Sequence, residues 1–166
     1  MFSNKTLKKL ILPLIIEQIL IMAVGVADTV MVSYAGEVAI SGVGLVDMFN
    51  NLIITVLAAI DAGGAIIVSQ YIGNKDRKNA NKASSQLLTI TIVIATVIML
   101  GCLVFHRILL STFFGAIEMD VMKAATTYFL ISAISFPFLG VYNSAAALYR
   151  SMEKTRTTMY VSILMN

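Results

Sequence analysis

LILPLIIEQILIMAVGVADTVMVSY, residues 10–34, is the stretch that decides the fold class of this chain. It is long enough to cross a bilayer as one helix, because a span needs about 20 apolar residues at 1.5 Å rise each. It nevertheless contains Glu17 and Asp28. An acid at the centre of a spanning helix costs at least about 2.5 to 3.5 kcal/mol, and such residues mark functional sites by default. The stretch therefore predicts a membrane helix that carries a functional polar face.

The polar face can be located on a helical wheel. At about 100° per residue, the polar and helix-bending residues fall within an arc of roughly 160°. They are Pro13, Glu17, Gln18, Gly25, Asp28 and Thr29. We expect this face to line a protein-walled cavity, with Pro13 as a bending point. For both acids a second interpretation stays open, namely a buried acid held by a neighbouring helix.

The overall composition supports a membrane class. The chain has 166 residues, of which 58% are hydrophobic and only 13% are charged, whereas a soluble domain has about 25% charged residues. The basic residues form short clusters between apolar runs, which fits contact with a lipid bilayer and not with nucleic acid. No His/Cys cluster, nucleotide-binding loop or Ser-His-Asp set is present in the sequence. We therefore expect neither an enzyme nor a resident metal or cofactor.

The hydropathy pattern predicts four full spans and the start of a fifth. Their approximate bounds are 9–34, 43–72, 83–106, 122–149 and 157–166. The last run stops after 10 residues, which is about half a bilayer, so we interpret the chain as part of a longer one. Ten of the 12 Lys and Arg residues fall on one side of this topology. The positive-inside rule then places the N-terminus in the cytoplasm.

Further polar residues lie inside the later spans. Asp61 could titrate, face a water-filled vestibule, or pair with a base elsewhere in the protein. We interpret Asp47, near the outer interface, as merely solvated. Pro137 should bend the fourth helix, and Asn143 needs a partner within the bundle. A carboxylate such as that of Asp28 can exchange a proton or ligate a small cation together with neighbouring oxygens.

Several motifs resemble one family of transporters. They are a proline early in the first span, GVADTVMVSYAG, AISGVGL, GGAIIVSQYIGNKD and the final LYRSMEKTRTTMYVSILMN. Together they resemble the multidrug and toxic compound extrusion (MATE) transporters, which have twelve helices in two six-helix bundles. The resemblance implies an all-α polytopic membrane protein, with this chain as the first four and a half helices of the N-terminal bundle. The C-terminal half of the same protein would then be the partner of this bundle.

The resemblance also implies an activity and the residues that carry it. Entry of H⁺ or Na⁺ would drive export of small organic, often cationic, compounds across the cell membrane, by alternation between outward-open and inward-open states. Asp28 matches the family's first-helix aspartate, which is implicated in ion coupling, and Pro13 matches a proline at which that helix bends. Asn143 and Asn166 match asparagines near that aspartate. Asp61 departs from the family pattern, which leaves its role open.

The sequence disfavours two alternatives to an exporter. A related flippase for lipid-linked sugars should have a strongly cationic cavity, yet no Lys or Arg lies in the interior of the four spans. A membrane scaffold or assembly subunit complete at 166 residues is disfavoured by the interrupted fifth apolar run.

Overall fold

The described residues of the chain form five helices joined by short connections. The structure, a computed structural model, describes residues 4–115, 117–152 and 154–165, and the side chains of 11–115, 117–152, 154, 157–162 and 164. In chain order the helices are α1 (Asn4–Ser33), α2 (Glu37–Gly73), α3 (Arg77–Phe114), α4 (Met119–Ser151) and α5 (Thr155–Met165). No strand is present among the residues described, so the predicted all-α class is confirmed.

Four of these helices are long and apolar enough to cross a membrane, as the hydropathy pattern predicts. The helices are longer than the predicted apolar runs. For example, α2 begins at Glu37 instead of near 43, and α3 runs from Arg77 to Phe114 instead of from 83 to 106. Backbone groups in hydrocarbon must be paired within the helix, and the polar residues at each end continue that pairing toward the interface. Hydropathy alone therefore underestimates helix length.

The start of α3 shows how a polar residue fixes a helix boundary. Asp76 is the N-cap, and its Oδ1 accepts a hydrogen bond from the Asn79 backbone N–H at 3.1 Å. The Asn79 side-chain amide donates to Asp76 Oδ2 at 2.7 Å. These two bonds lower the pKa of the Asp76 carboxyl below its usual value of 3.8, and the bond from the Asn79 backbone has the larger effect. The charged cap therefore stabilises the first turn of α3.

This cap gives a pH-dependent prediction. Because its folded-state pKa is lowered, Asp76 contributes stability that is fully present above 3.8 and is lost as pH falls through the lowered value. We expect amide hydrogen exchange in the first turn of α3 to accelerate, after correction for intrinsic rates, as the pH falls below 3.8. Asp76→Asn keeps an acceptor without titrating and should remove the pH dependence. Equal pH profiles for both proteins would contradict this assignment.

The core lies between α2, α3 and α4, which pack against one another. Its buried side chains include Val46, Cys102, Leu110, Ala125, Phe129, Ala133 and Phe136. The rings of Phe49 and Phe129 meet edge to face with centroids 5.1 Å apart, a favourable arrangement for aromatic pairs. By contrast, α1 packs mainly against α5 and less extensively against α2. The core is therefore formed by α2, α3 and α4, and α1 and α5 pack together at its side.

Candidate functional site

Polar side chains line openings at both ends of the bundle. We call the end with the α2–α3 and α4–α5 connections the basic end, because Lys75, Arg77 and Lys154 lie there. The other end, with the α1–α2 and α3–α4 connections, contains an open groove of about 560 Å³ between α1, α2 and α4. We call it the aspartate groove. It is lined by Gly25, Asp28, Thr29, Met31, Val32, Ile40, Val43, Gly44, Asp47 and Tyr128.

The aspartate groove contains two carboxylates. Asp28 is exposed on α1, and Asp47 of α2 accepts a hydrogen bond from the Tyr128 hydroxyl at 3.0 Å. The ion pairs formed by the described side chains involve Glu17 and Asp120, and neither includes these two aspartates. Carboxylates without a basic partner can bind a proton or a cation. Proton or cation binding at Asp28 stays a prediction.

Sequence reasoning missed two residues of this groove. The interpretation of Asp47 as merely solvated does not hold, because Asp47 is half-buried and bonded to Tyr128. No sequence pattern points to Tyr128. The two residues are 81 positions apart, so only the packing of α4 against α2 brings them together. The one signal in the sequence is that Asp47 and Tyr128 both lie a short distance inside the outer end of their spans, and therefore at a similar depth.

A second polar cluster lies deeper and nearer the basic end. Asp61 of α2 is 2% exposed, and its Oδ1 accepts hydrogen bonds from Thr91 Oγ1 of α3 at 2.8 Å and Ser144 Oγ of α4 at 2.6 Å. Its Oδ2 is buried and has no partner among the described residues. A Cβ on Gly140 would lie 3.3 Å from Thr91 Cγ2, so glycine allows α4 to approach α3 here. Three helices thus meet around one carboxylate.

Asp61 also lines an open cleft of about 300 Å³. The cleft is lined by Ala58, Asp61, Ala62, Ala65, Ile66, Ser69, Asn143, Ala147, Arg150 and Ser151. The prediction that Asn143 lies near Asp28 is wrong in position. Asn143 is fifteen residues, about 22 Å along a straight helix, from Tyr128, which shares the aspartate groove with Asp28. Its predicted role stays a prediction, and Asn166 lies outside the described residues.

The remaining acid of α1 is held by neighbouring helices. Glu17 is 5% exposed, and its Oε1 lies 3.4 Å from Nη1 of Arg150, at the end of α4. Its Oε2 accepts a hydrogen bond from the Thr158 hydroxyl of α5 at 3.1 Å. Glu17 therefore follows the second of its two interpretations in this structure, that of a buried acid held by adjacent helices.

The other residues of the predicted polar face have mixed surroundings. Gly25 and Thr29 line the aspartate groove, and the Thr29 hydroxyl donates to the Gly25 carbonyl at 2.9 Å. Pro13 is buried, whereas Gln18 is exposed. Both Pro13 and Pro137 lie inside continuous helices, and their role as hinges stays a prediction.

Four membrane-length helices, whose spans contain several carboxylates, define a multi-pass membrane protein. Comparison with known proteins then gives the family. A sequence model of the MatE family matches residues 13–166, so the chain belongs to the MatE family, which confirms the resemblance carried by the motifs.

The relatives that the chain matches are longer proteins. The chain is 29% identical over 166 residues to a probable multidrug resistance protein, NorM, of Thermotoga maritima, with 98% of this chain and 35% of that protein covered. It is 27% identical over 154 residues to the uncharacterized transporter YisQ of Bacillus subtilis, with 93% of this chain and 33% of that protein covered. The chain thus spans about a third of the length of the curated relatives it matches.

Solved structures support the fold. A MOP superfamily transporter from Pyrococcus furiosus, described as having a binding pocket of reverse polarity, matches with a TM-score of 0.89 at 20% identity. An outward-facing multidrug resistance MATE family transporter matches with the same score and identity. Each match covers 96% of this chain and 35% of the solved chain. These likenesses show that the helices have the arrangement of part of a MATE transporter.

Proposed function

We propose that this chain forms part of a secondary antiporter that exports small organic compounds, often cationic, in exchange for H⁺ or Na⁺. The observation that carries the proposal is the position of Asp28 in the aspartate groove, beside a second carboxylate and without a basic partner among the described side chains. The family of the chain and the name of its Thermotoga maritima relative support the same activity.

The lining of the aspartate groove suits this exchange. Apolar side chains from α1 and α2 surround the two aspartates, including Met31, Val32 and Val43. An organic cation needs apolar surface for its body and an anionic group for its charge, and methionine adapts to varied shapes. A coupling ion at Asp28 would neutralise the same negative charge. Competition for that charge would therefore make ion entry and compound exit alternate.

We place the protein in the cell membrane with its N-terminus in the cytoplasm. The charge distribution supports this orientation, because ten of the 12 basic residues lie on the side of the N-terminus and of the α2–α3 and α4–α5 connections. The basic end would then face the cytoplasm and the aspartate groove would lie near the outer surface. Within the whole protein, residues 1–166 would be the first four and a half helices of an N-terminal six-helix bundle.

The activity can be tested in liposomes that contain the protein expressed from its complete reading frame. A fluorescent organic cation is followed while a pH gradient or a Na⁺ gradient is imposed separately at matched membrane potential. We expect one of the two gradients to drive dye against its concentration difference, and collapse of that gradient to stop the movement. Dye movement that ignores both gradients would contradict an antiporter.

A further inference from the structure

The carboxylate of Asp61 is buried without a compensating charge. It is 2% exposed, at the meeting point of α2, α3 and α4. Arg150 lines the same cleft, but its guanidinium lies 3.4 Å from Glu17 Oε1 and serves that acid. In the part of the chain that the structure describes, no ion pair includes Asp61. Because an isolated buried charge is costly, the negative charge of this carboxylate should be balanced by a proton or by a bound cation.

Several oxygen atoms near Asp61 can serve as ligands for a cation. The Thr91 and Ser144 hydroxyls both donate to Oδ1, so their oxygen lone pairs stay available and Oδ2 is unpartnered. Ser69, which shares the cleft, donates its own proton to the Ile66 carbonyl at 2.7 Å. Asn143 adds an amide oxygen to the lining. Carboxylate, hydroxyl and amide oxygens are the ligands that hard cations prefer.

The charge of the site selects a monovalent ion. One carboxylate and neutral oxygens carry a total charge of −1, so a monovalent cation gives a neutral site. A divalent cation would leave a net positive charge among apolar and alanine side chains, in a region where uncompensated charge is strongly disfavoured. A proton would need only the carboxyl group, whereas the two hydroxyls bonded to Asp61 supply further oxygen ligands that a proton does not use.

We propose that Asp61, Thr91 and Ser144 form a binding site for one alkali cation of the size of Na⁺, with access through the cleft that Ser69 and Asn143 line. The site is distinct from the aspartate groove, which lies at the other end of the bundle. It requires no transport, and its failure would therefore be distinguishable from failure of the proposed function.

The test measures Na⁺ binding directly in the purified protein expressed from its complete reading frame. Equilibrium binding of ²²Na⁺ is combined with thermal unfolding in NaCl and in choline chloride at equal ionic strength. All measurements are made in an Asp28→Asn background, so that an ion in the aspartate groove does not contribute. We expect Na⁺ to raise the melting temperature in proportion to site occupancy, and Asp61→Asn to abolish both this shift and one equivalent of bound ²²Na⁺.

Matched hydroxyl variants keep the test valid if Asp61→Asn fails to fold. Thr91→Val removes the hydroxyl at nearly constant volume and should weaken Na⁺ binding by about 10- to 100-fold, whereas Thr91→Ser should retain it. As a control, Thr126→Val removes a hydroxyl that bonds only to the Met122 carbonyl of its own helix and should change nothing. The proposal is overturned if the background protein binds no ²²Na⁺, if binding survives Asp61→Asn, or if Thr91→Val and Thr91→Ser bind Na⁺ equally.

Discussion

Replacing Asp28 by asparagine in the protein expressed from its complete reading frame is expected to reduce gradient-driven dye export by about a hundredfold. This magnitude is in the upper part of the range for a coupling free energy of about 1 to 3 kcal/mol. The substitution keeps the shape of the side chain and removes only its ability to carry charge or a proton. Because Asp28 is exposed in the groove and belongs to neither ion pair formed by the described side chains, folding should be unaffected.

The control for this prediction is the same substitution at Asp120, an aspartate on the same side of the bundle. The Asp120 side chain is 78% exposed and lies 3.5 Å from Lys123 Nζ. A surface pair of this kind contributes little, so Asp120→Asn should export dye at the normal rate. Dye flux is measured in liposomes with equal protein incorporation. Export by Asp28→Asn that matches Asp120→Asn would remove Asp28 from the coupling mechanism.

The other carboxylate of the groove separates ion coupling from binding of the compound. In Asp47→Asn the amide oxygen still accepts the Tyr128 hydrogen bond, so the groove keeps its shape with one charge fewer. If Asp28 alone binds the coupling ion, this variant should export dye more weakly and yet remain dependent on the gradient. Its response to the gradient, compared with that of Asp28→Asn, indicates which aspartate exchanges the ion.

The helical class was predictable because few backbone conformations are stable in the hydrocarbon of a membrane. A long apolar run must pair its backbone internally, so even the β-branched run at residues 89–98 is helical. The position of Asp28 near one end of its span was predictable for the same reason. Since successive spans run in opposite directions, the depth of each polar residue follows from its place in its span. Applied to Asn143, this argument places the residue near the basic end. The family resemblance instead implies a position near Asp28.

Contacts between helices were beyond reach of the sequence. Asp61 stood out as an acid that departs from the family pattern, but its partners Thr91 and Ser144 are 30 and 83 residues away. Hydroxyl residues are common in these spans, and most of them bond to their own helix, as Thr96 does to the Ile92 carbonyl. Which hydroxyl turns toward another helix depends on helix rotation and approach, and periodicity alone does not specify these.

Removing the Arg150 guanidinium is expected to loosen α1 and α5 from the end of α4. In Arg150→Ala the buried Glu17 carboxylate keeps the Thr158 hydrogen bond and loses its charged partner. Breaking a fully buried pair costs about 3 to 5 kcal/mol. The Arg150 side chain is 41% exposed and the contact is 3.4 Å long, so we expect about 2 to 3 kcal/mol, near the value of a hydrogen bond to a charged group.

The measurement should report on the affected helices, because the three-helix core does not depend on this contact. Amide hydrogen exchange in Thr157–Ser162 of α5 gives the local opening free energy, which should fall in Arg150→Ala. Adding Glu17→Gln removes the unpaired charge and should restore most of the protection, so that the two substitutions are strongly non-additive. Unchanged exchange in Arg150→Ala would show that the Arg150–Glu17 ion pair does not stabilise the packing of α1 and α5.

The same variants decide between the two interpretations of Glu17. If its carboxylate only holds the helices together, Glu17→Gln should lower protection in α5 modestly and leave the coupling of dye export to the ion gradient intact. If the carboxylate carries an ion, Glu17→Gln should abolish coupled export even where α5 is fully protected. The buried position of Glu17 and its two partners from α4 and α5 predict the first result.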